Sequence, residues 1–216
     1  MVVVLEHATA LTLADLFDRF GPMPAARIRM DPPPGTATVK DVLAVHRRDK
    51  SLCELVDGVL VEKVMGYEES MVAAVIITFL QNFIRPRKLG IVAGEGGMLR
   101  LAPDLVRIPD VSFISRSRLP GGKPPREPVS GLAPNLAVEV LSAGNTEREM
   151  SRKLEDFFET GVELVWFVDP AARTVKVFTS PDKYTELKES RTLSGGAVVR
   201  GFKVKVAEIF AVLDEL

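Results

Sequence analysis

The sequence holds few of the residues that most often build reactive centres. Among 216 residues there is one cysteine, Cys53, and there are two histidines, His7 and His46. A lone cysteine excludes an intrachain disulfide and any cysteine-based metal cluster. Two histidines are too few for a histidine-rich zinc site. Ser112, Ser115 and Ser117 have no histidine in a recognisable triad arrangement, which argues against serine-hydrolase chemistry. Long hydrophobic runs are also missing: the longest largely apolar stretch, Met71 to Leu80, falls far short of a bilayer's thickness. Met1 to Leu5 is apolar, but Glu6 interrupts it, and no basic n-region or small-residue cleavage site follows. These absences lead us to expect a cytoplasmic protein without membrane contact. A net charge of −1 excludes a polycation that coats nucleic acid with its whole surface.

What is present is enough for a large core. At 46% hydrophobic content, a chain of 216 residues can bury one substantial core. The charge is unevenly spread. From Arg85 to Arg126, nine basic residues face only three acidic ones, a local excess of +6. A basic surface beside an acidic pocket suits phosphodiester substrates, although a solvated face would look the same. Arg100, Arg107, Arg116 and Arg118 are the candidate nucleic-acid contacts within it.

Local patterns predict the elements. Thr12 to Phe20 reads as a short helix, and Asp31-Pro32-Pro33-Pro34-Gly35 punctuates the chain, so residues 1–35 are expected to be an N-terminal extension to a domain at 36–216. Thr38 to Arg48 reads as a second short helix. Asp57-Gly58 between two apolar runs predicts a tight hairpin. Glu68 to Phe83 predicts a long buried helix ending before Pro86. Strands are expected near 90–93, 97–101, 109–114, 135–142, 163–168, 174–179 and 184–188. Pro120 to Pro134, with five prolines and three glycines, predicts a long exposed loop. Thr146-Glu147-Arg148-Glu149 predicts a capping box and a helix to about Thr160, ended by Gly161. Ala207 to Leu213 predicts a terminal helix. The order describes an α/β (α+β) fold with a central mixed sheet flanked by helices.

Two carboxylates emerge from otherwise apolar strands, Asp110 in Ile108-Pro109-Asp110-Val111 and Glu139 in Leu136-Ala137-Val138-Glu139-Val140. Each buried carboxylate costs several kcal/mol unless it is paired or binds a metal. Strand alternation lets the two converge if their strands are neighbours. A hard divalent ion such as Mg²⁺ prefers such oxygen ligands and usually keeps several waters. At about 100° per residue, Met150, Leu154, Phe157 and Phe158 form the apolar stripe of the next helix. Lys153 borders that stripe, while Arg152, Glu155, Asp156 and Glu159 fall on the opposite, wet side. Lys153 is thus the cation aimed at the sheet, where it could orient a water or offset transition-state charge. The alternatives are a lysine snorkelling at a core edge, and for Asp110 and Glu139 bonding to backbone or to Arg100 or Arg107.

Cys53-Glu54-Leu55-Val56-Asp57-Gly58, Ile108-Pro109-Asp110-Val111-Ser112-Phe113 and Leu136-Ala137-Val138-Glu139-Val140-Leu141-Ser142 match one family in order and spacing. Lys153, Phe157, Gly161, the run Val165 to Pro170 and Val175 to Phe178 continue the match. Over roughly residues 38–214, the chain resembles the Uma2 family of the PD-(D/E)XK nuclease superfamily. The resemblance implies a restriction-endonuclease-like core and a Mg²⁺- or Mn²⁺-dependent endonuclease acting on nucleic acid, with DNA the expected substrate. It implies that Asp110 and Glu139 bind the metal, that Glu54 lies near it, and that Lys153 assists the water. The superfamily lysine two residues after the glutamate is absent here, where Leu141 stands, and Lys153 is the matching residue. Ser142 is expected to cap or orient the site, or simply to turn the strand end; Glu54 alternatively faces solvent in the hairpin. Family members often carry a histidine near the start of the long helix, where this chain has Glu68-Glu69-Ser70-Met71. A homodimer is plausible for cutting both strands of a duplex. The competing reading is a nuclease-fold protein that binds nucleic acid or a protein partner without cutting.

Overall fold

Residues 11–214 are described by the structure, a computed structural model. His7 and the Met1–Leu5 start therefore lie outside the described residues. Helix α1 (Leu13–Phe20) opens with a complete capping box between Thr12 and Asp15, and α2 (Val39–Asp49) follows. The hairpin β1 (Cys53–Val56) and β2 (Val59–Glu62) turns at Asp57 and Gly58, both at positive φ, 49° and 74°. That is the two-residue turn whose twist suits a hairpin. Only glycine fits the second position, because a Cβ on Gly58 would lie 2.5 Å from the Gly35 carbonyl.

Helix α3 (Tyr67–Arg87) carries Pro86 inside its last turn and closes on Lys88 in the left-handed conformation. The expected stop before Pro86 is thus corrected. The ring removes a donor only where the ladder already ends, and the Arg87 side chain donates to the Phe83 carbonyl there at 3.0 Å. Then come β3 (Gly90–Gly94), β4 (Met98–Ala102), β5 (Leu105–Arg107), β6 (Val111–Ser115), β7 (Val129–Ser130) and β8 (Leu136–Val140). Helix α4 (Glu147–Glu159), β9 (Leu164–Asp169), β10 (Thr174–Ser180), β11 (Lys183–Lys188), β12 (Thr192–Ser194), β13 (Lys203–Lys205) and α5 (Val206–Phe210) complete the order.

The strands form two main sheets. One has the order β2-β1-β5-β4-β7; the other, mixed, has the order β11-β10-β9-β8-β6-β3, with β8 at its centre. Strand β8 runs antiparallel to β6 and parallel to β9. Its continuous apolar character follows from burial on both faces. Leu136, Val138 and Val140 pack with Val72, Ile76 and Leu80 of α3. Ala137, on the opposite face, packs with Met150, Leu154 and Phe157 of α4. Leu99 of the first sheet meets Ile114 on that same face. The site therefore lies where α4 and the first sheet together cover the second. Each fully buried Val or Leu in these layers contributes about 1.5–3 kcal/mol.

Leu16, Phe20, Met23 and Ile28 pack with Val56, Val59, Val61 and Leu105, so residues 11–35 share a core with the first sheet. Short strands β5, β7, β12 and β13 were not expected from sequence. Strand β7 lies in the proline-rich loop and pairs in parallel with β4. Among the described residues, no helix is long and apolar enough to cross a membrane.

Candidate active site

Val111 of β6 stands opposite Val138 of β8, so alternation puts Asp110 and Glu139 side by side on the face that α4 covers. Both are only 4% exposed. Asp110 Oδ2 accepts the Val140 N–H at 2.6 Å. Lys153 reaches the same place from α4, as its wheel position predicts: its Nζ donates to Glu139 Oε2 at 3.1 Å and lies 3.4 Å from Glu54 Oε1. The second oxygen of Glu139, Oε1, is buried without a hydrogen-bond partner among the described residues. Asp110, Glu139, Lys153, Ser142 and Glu69 line one small pocket of about 20 Å³. By volume that is room for roughly one water-sized particle.

One group in this pocket was missed by the sequence reading. Lys63, just past β2, is 7% exposed in its side chain, with Nζ 2.8 Å from Asp110 Oδ1 and 3.8 Å from Glu139 Oε2. It also donates to the Ile108 carbonyl. As a lysine ending a hairpin strand, it carries no sequence signal of burial.

Burial raises the Glu139 carboxyl above its usual range, and the Asp110 and Glu54 charges add to this against the pull of Lys153 and Lys63. Burial also opposes the charge on Lys153, but Glu139 and Glu54 outweigh it and hold that ammonium protonated above its ordinary value. For Glu54, burial works against ionisation, yet Lys153, Arg107 and Lys63 bring its carboxyl down to about 2.

Behind the pocket lies a second knot of buried charge. Arg107 Nη1 donates to Glu54 Oε2 at 2.7 Å, and Arg107 Nε donates to Asp156 Oδ2 at 2.9 Å. Nη2 donates to the same Asp156 oxygen. Glu54 Oε1 accepts the Ile108 N–H at 3.0 Å, and Asp156 Oδ1 accepts from Arg152 at 3.3 Å. This corrects several expectations. Arg107 is 2% exposed, so it cannot meet a nucleic acid. Glu54 is neither solvent-facing nor free: both its oxygens are engaged, and it braces Lys153 from behind. Asp156 is buried because the first sheet covers the side of α4 that the wheel made wet. The partners of Asp110 and Glu139 are lysines, not Arg100 or Arg107.

The other candidates separate cleanly. Arg100 and Arg116 are exposed. Arg118 is a brace, bonded to the Ala133, Pro134 and Gly161 carbonyls and to Glu163. The Ser142 hydroxyl donates to Asn145 Oδ1 at 3.3 Å, shaping the turn from β8 into α4 at the pocket wall. The expected capping box is half formed. Thr146 accepts the Glu149 N–H at 3.1 Å, but the Glu149 carboxylate turns to Arg27 at 2.7 Å. Arg27 thereby ties the N-terminal segment to α4.

The residues fit a divalent ion in part. The orphaned Glu139 oxygen beside the Asp110 carboxylate offers hard oxygen donors in a space of the right size. Among the described residues, no three His, Cys, Asp or Glu side chains are grouped to hold a metal ion. Two carboxylates with water filling the remaining positions is the pattern Mg²⁺ accepts.

Residues 39–207 match the family model Uma2, whose description is "Putative restriction endonuclease". No curated protein matches the chain. The fold is similar to the crystal structure of a "putative nuclease belonging to DUF820" from Anabaena variabilis. The TM-score is 0.68 at 17% identity, covering 76% of this chain and 92% of that one. At that identity the likeness establishes the fold alone, which is the mixed α/β (α+β) architecture expected from sequence.

Proposed function

This chain belongs to the Uma2 family, and from that premise we propose that it is a metal-dependent endonuclease hydrolysing phosphodiester bonds of nucleic acid, DNA first. One observation carries the reading: two almost fully buried carboxylates and a charged lysine converge on one small pocket, and one carboxylate oxygen there has no partner. A buried polar atom left unsatisfied is costly, and such sites concentrate where chemistry is done.

Asp110 and Glu139 would hold the ion, Mg²⁺ or Mn²⁺. The ion, when bound, lowers the pKa of a water and offsets charge on the phosphate. Val140 N–H fixes the Asp110 carboxylate in place. Glu139 and Glu54 favour the charged form of Lys153. Its ammonium orients the attacking water and offsets negative charge as the phosphate becomes more crowded. Glu54 is a positioning residue acting through Lys153. Ser142 holds the turn that forms the pocket wall. Of the four candidate arginines, Arg100 and Arg116 are the exposed pair free to meet phosphate oxygens. Cutting both strands of a duplex favours two such sites, which a homodimer would supply.

The test is cleavage of supercoiled DNA, and in parallel of single-stranded DNA and RNA, with Mg²⁺ or Mn²⁺. Asp110→Ala and Glu139→Ala are each expected to lose about 10²-fold or more in rate. Cleavage that survives both substitutions unchanged contradicts the reading.

A further inference from the structure

We propose that Lys63 gates this site: its ammonium and a divalent ion compete for the same carboxylate oxygen, so the ion enters only as Lys63 leaves Asp110. The inference rests on the metal-binding reading above. It follows from the four oxygens of the two carboxylates. Asp110 Oδ2 is held by the Val140 N–H at 2.6 Å, and Glu139 Oε2 by Lys153 at 3.1 Å. That leaves Asp110 Oδ1 and Glu139 Oε1 as the oxygens suited to an ion. Glu139 Oε1 has no partner. Asp110 Oδ1 carries the Lys63 ammonium at 2.8 Å.

Charge points the same way. Asp110 and Glu139 are balanced by Lys63 and Lys153 in a nearly dry pocket. Adding a dication while both lysines stay would raise the charge of this buried cluster by two, a costly burial. One lysine must give way. Lys153 is enclosed between Glu139 and Glu54, at 3.1 and 3.4 Å, and has nowhere to go. Lys63 sits where the chain leaves β2 for the surface, and the next residue, Val64, is 65% exposed. Besides Asp110, Lys63 is held by the Ile108 carbonyl and lies 3.8 Å from Glu139 Oε2, and its flexible four-carbon stem can carry a strongly hydrated ammonium out to water.

Calorimetric titration of the full chain with Mn²⁺ tests this in the wild type, Lys63→Gln and Lys63→Met, with thermal melts confirming that each is folded. Gln keeps a donor for the Ile108 carbonyl while removing the charge. Both variants are expected to bind Mn²⁺ at least about tenfold more tightly than the wild type, since a single neighbouring charge shifts a carboxylate's cation affinity by that order or more. Tighter binding by either folded variant, including binding by a variant when the wild type binds none, supports the gate. Equal or weaker binding by the folded variants overturns the gate and leaves the metal reading standing. No binding by any of the three proteins removes both. Should both variants fail to fold, the wild type decides by NMR of the Lys63 ε-methylene during Mg²⁺ titration. The resonance is expected to move to a solvent-exposed position, and one that stays fixed at saturation overturns the gate.

Discussion

Between the two sheets, Arg107 with Glu54 and Asp156 makes one knot of buried charge, and Asp110 and Glu139 with Lys63 and Lys153 make another. Both use carboxylates and cations whose side chains are almost fully buried. In the first, each carboxylate oxygen has a partner, and Arg107 spends its planar fork on two acids at once. In the second, the cations are lysines, point charges on flexible stems, and Glu139 Oε1 is left over beside a pocket. Burial and pairing alone do not separate structure from chemistry. Under the proposed function, incomplete pairing beside open space does.

Substitutions can break that contrast, the largest effect first. Arg107→Ala leaves Glu54 and Asp156 buried without their cation and should cost about 3–5 kcal/mol in urea unfolding. If it is nearly neutral, the knot is not the structural half of the pair. Next is acid stability. The Glu54 carboxyl lies below its ordinary value of 4.5, at about 2. Its contribution is therefore fully present above pH 4.5 and lost as the pH falls through the window down to about 2. Melting curves of wild type against Glu54→Gln should converge across that window; parallel curves would remove Glu54 from the account.

Glu139→Gln keeps an acceptor for Lys153 while removing the charge, and burial already works against that charge, so it should destabilise less than Arg107→Ala, yet it should abolish Mn²⁺ binding. A large destabilisation with binding retained would reverse the roles of the two clusters. The smallest effect belongs to the surface. Arg116→Ala should leave melting unchanged and lower the salt dependence of nucleic-acid affinity by about one unit of slope. Arg118→Ala should instead loosen the loop it braces and destabilise by about 1 kcal/mol. Equal effects of the two arginines on binding would show that bracing and contact are not separable there.

The contrast also explains what could be read from residues alone. Strand parity put Asp110 and Glu139 on faces that meet once β6 and β8 are neighbours, the Asp57-Gly58 hairpin needed only turn chemistry, and a helical wheel turned Lys153 inward; each is a local rule. Asp156 escaped because a wheel describes one helix against one core, whereas α4 is covered on a second side by the first sheet. Strand β5 is three residues long between Pro103 and Pro109, too short for any alternation, so the burial of Arg107 was illegible. Lys63 escaped for the same reason. Its place beside Asp110 depends on two sheets meeting, a contact between residues 47 positions apart that no local pattern encodes.

The most direct test is a crystal of the wild-type protein, and one of Lys63→Gln, soaked in Mn²⁺ and measured for anomalous scattering. The account predicts a peak in bonding contact with Asp110 Oδ1 and Glu139 Oε1, with Lys63 displaced from Asp110. A site left without a peak in both crystals, with Lys63 still on Asp110, contradicts it.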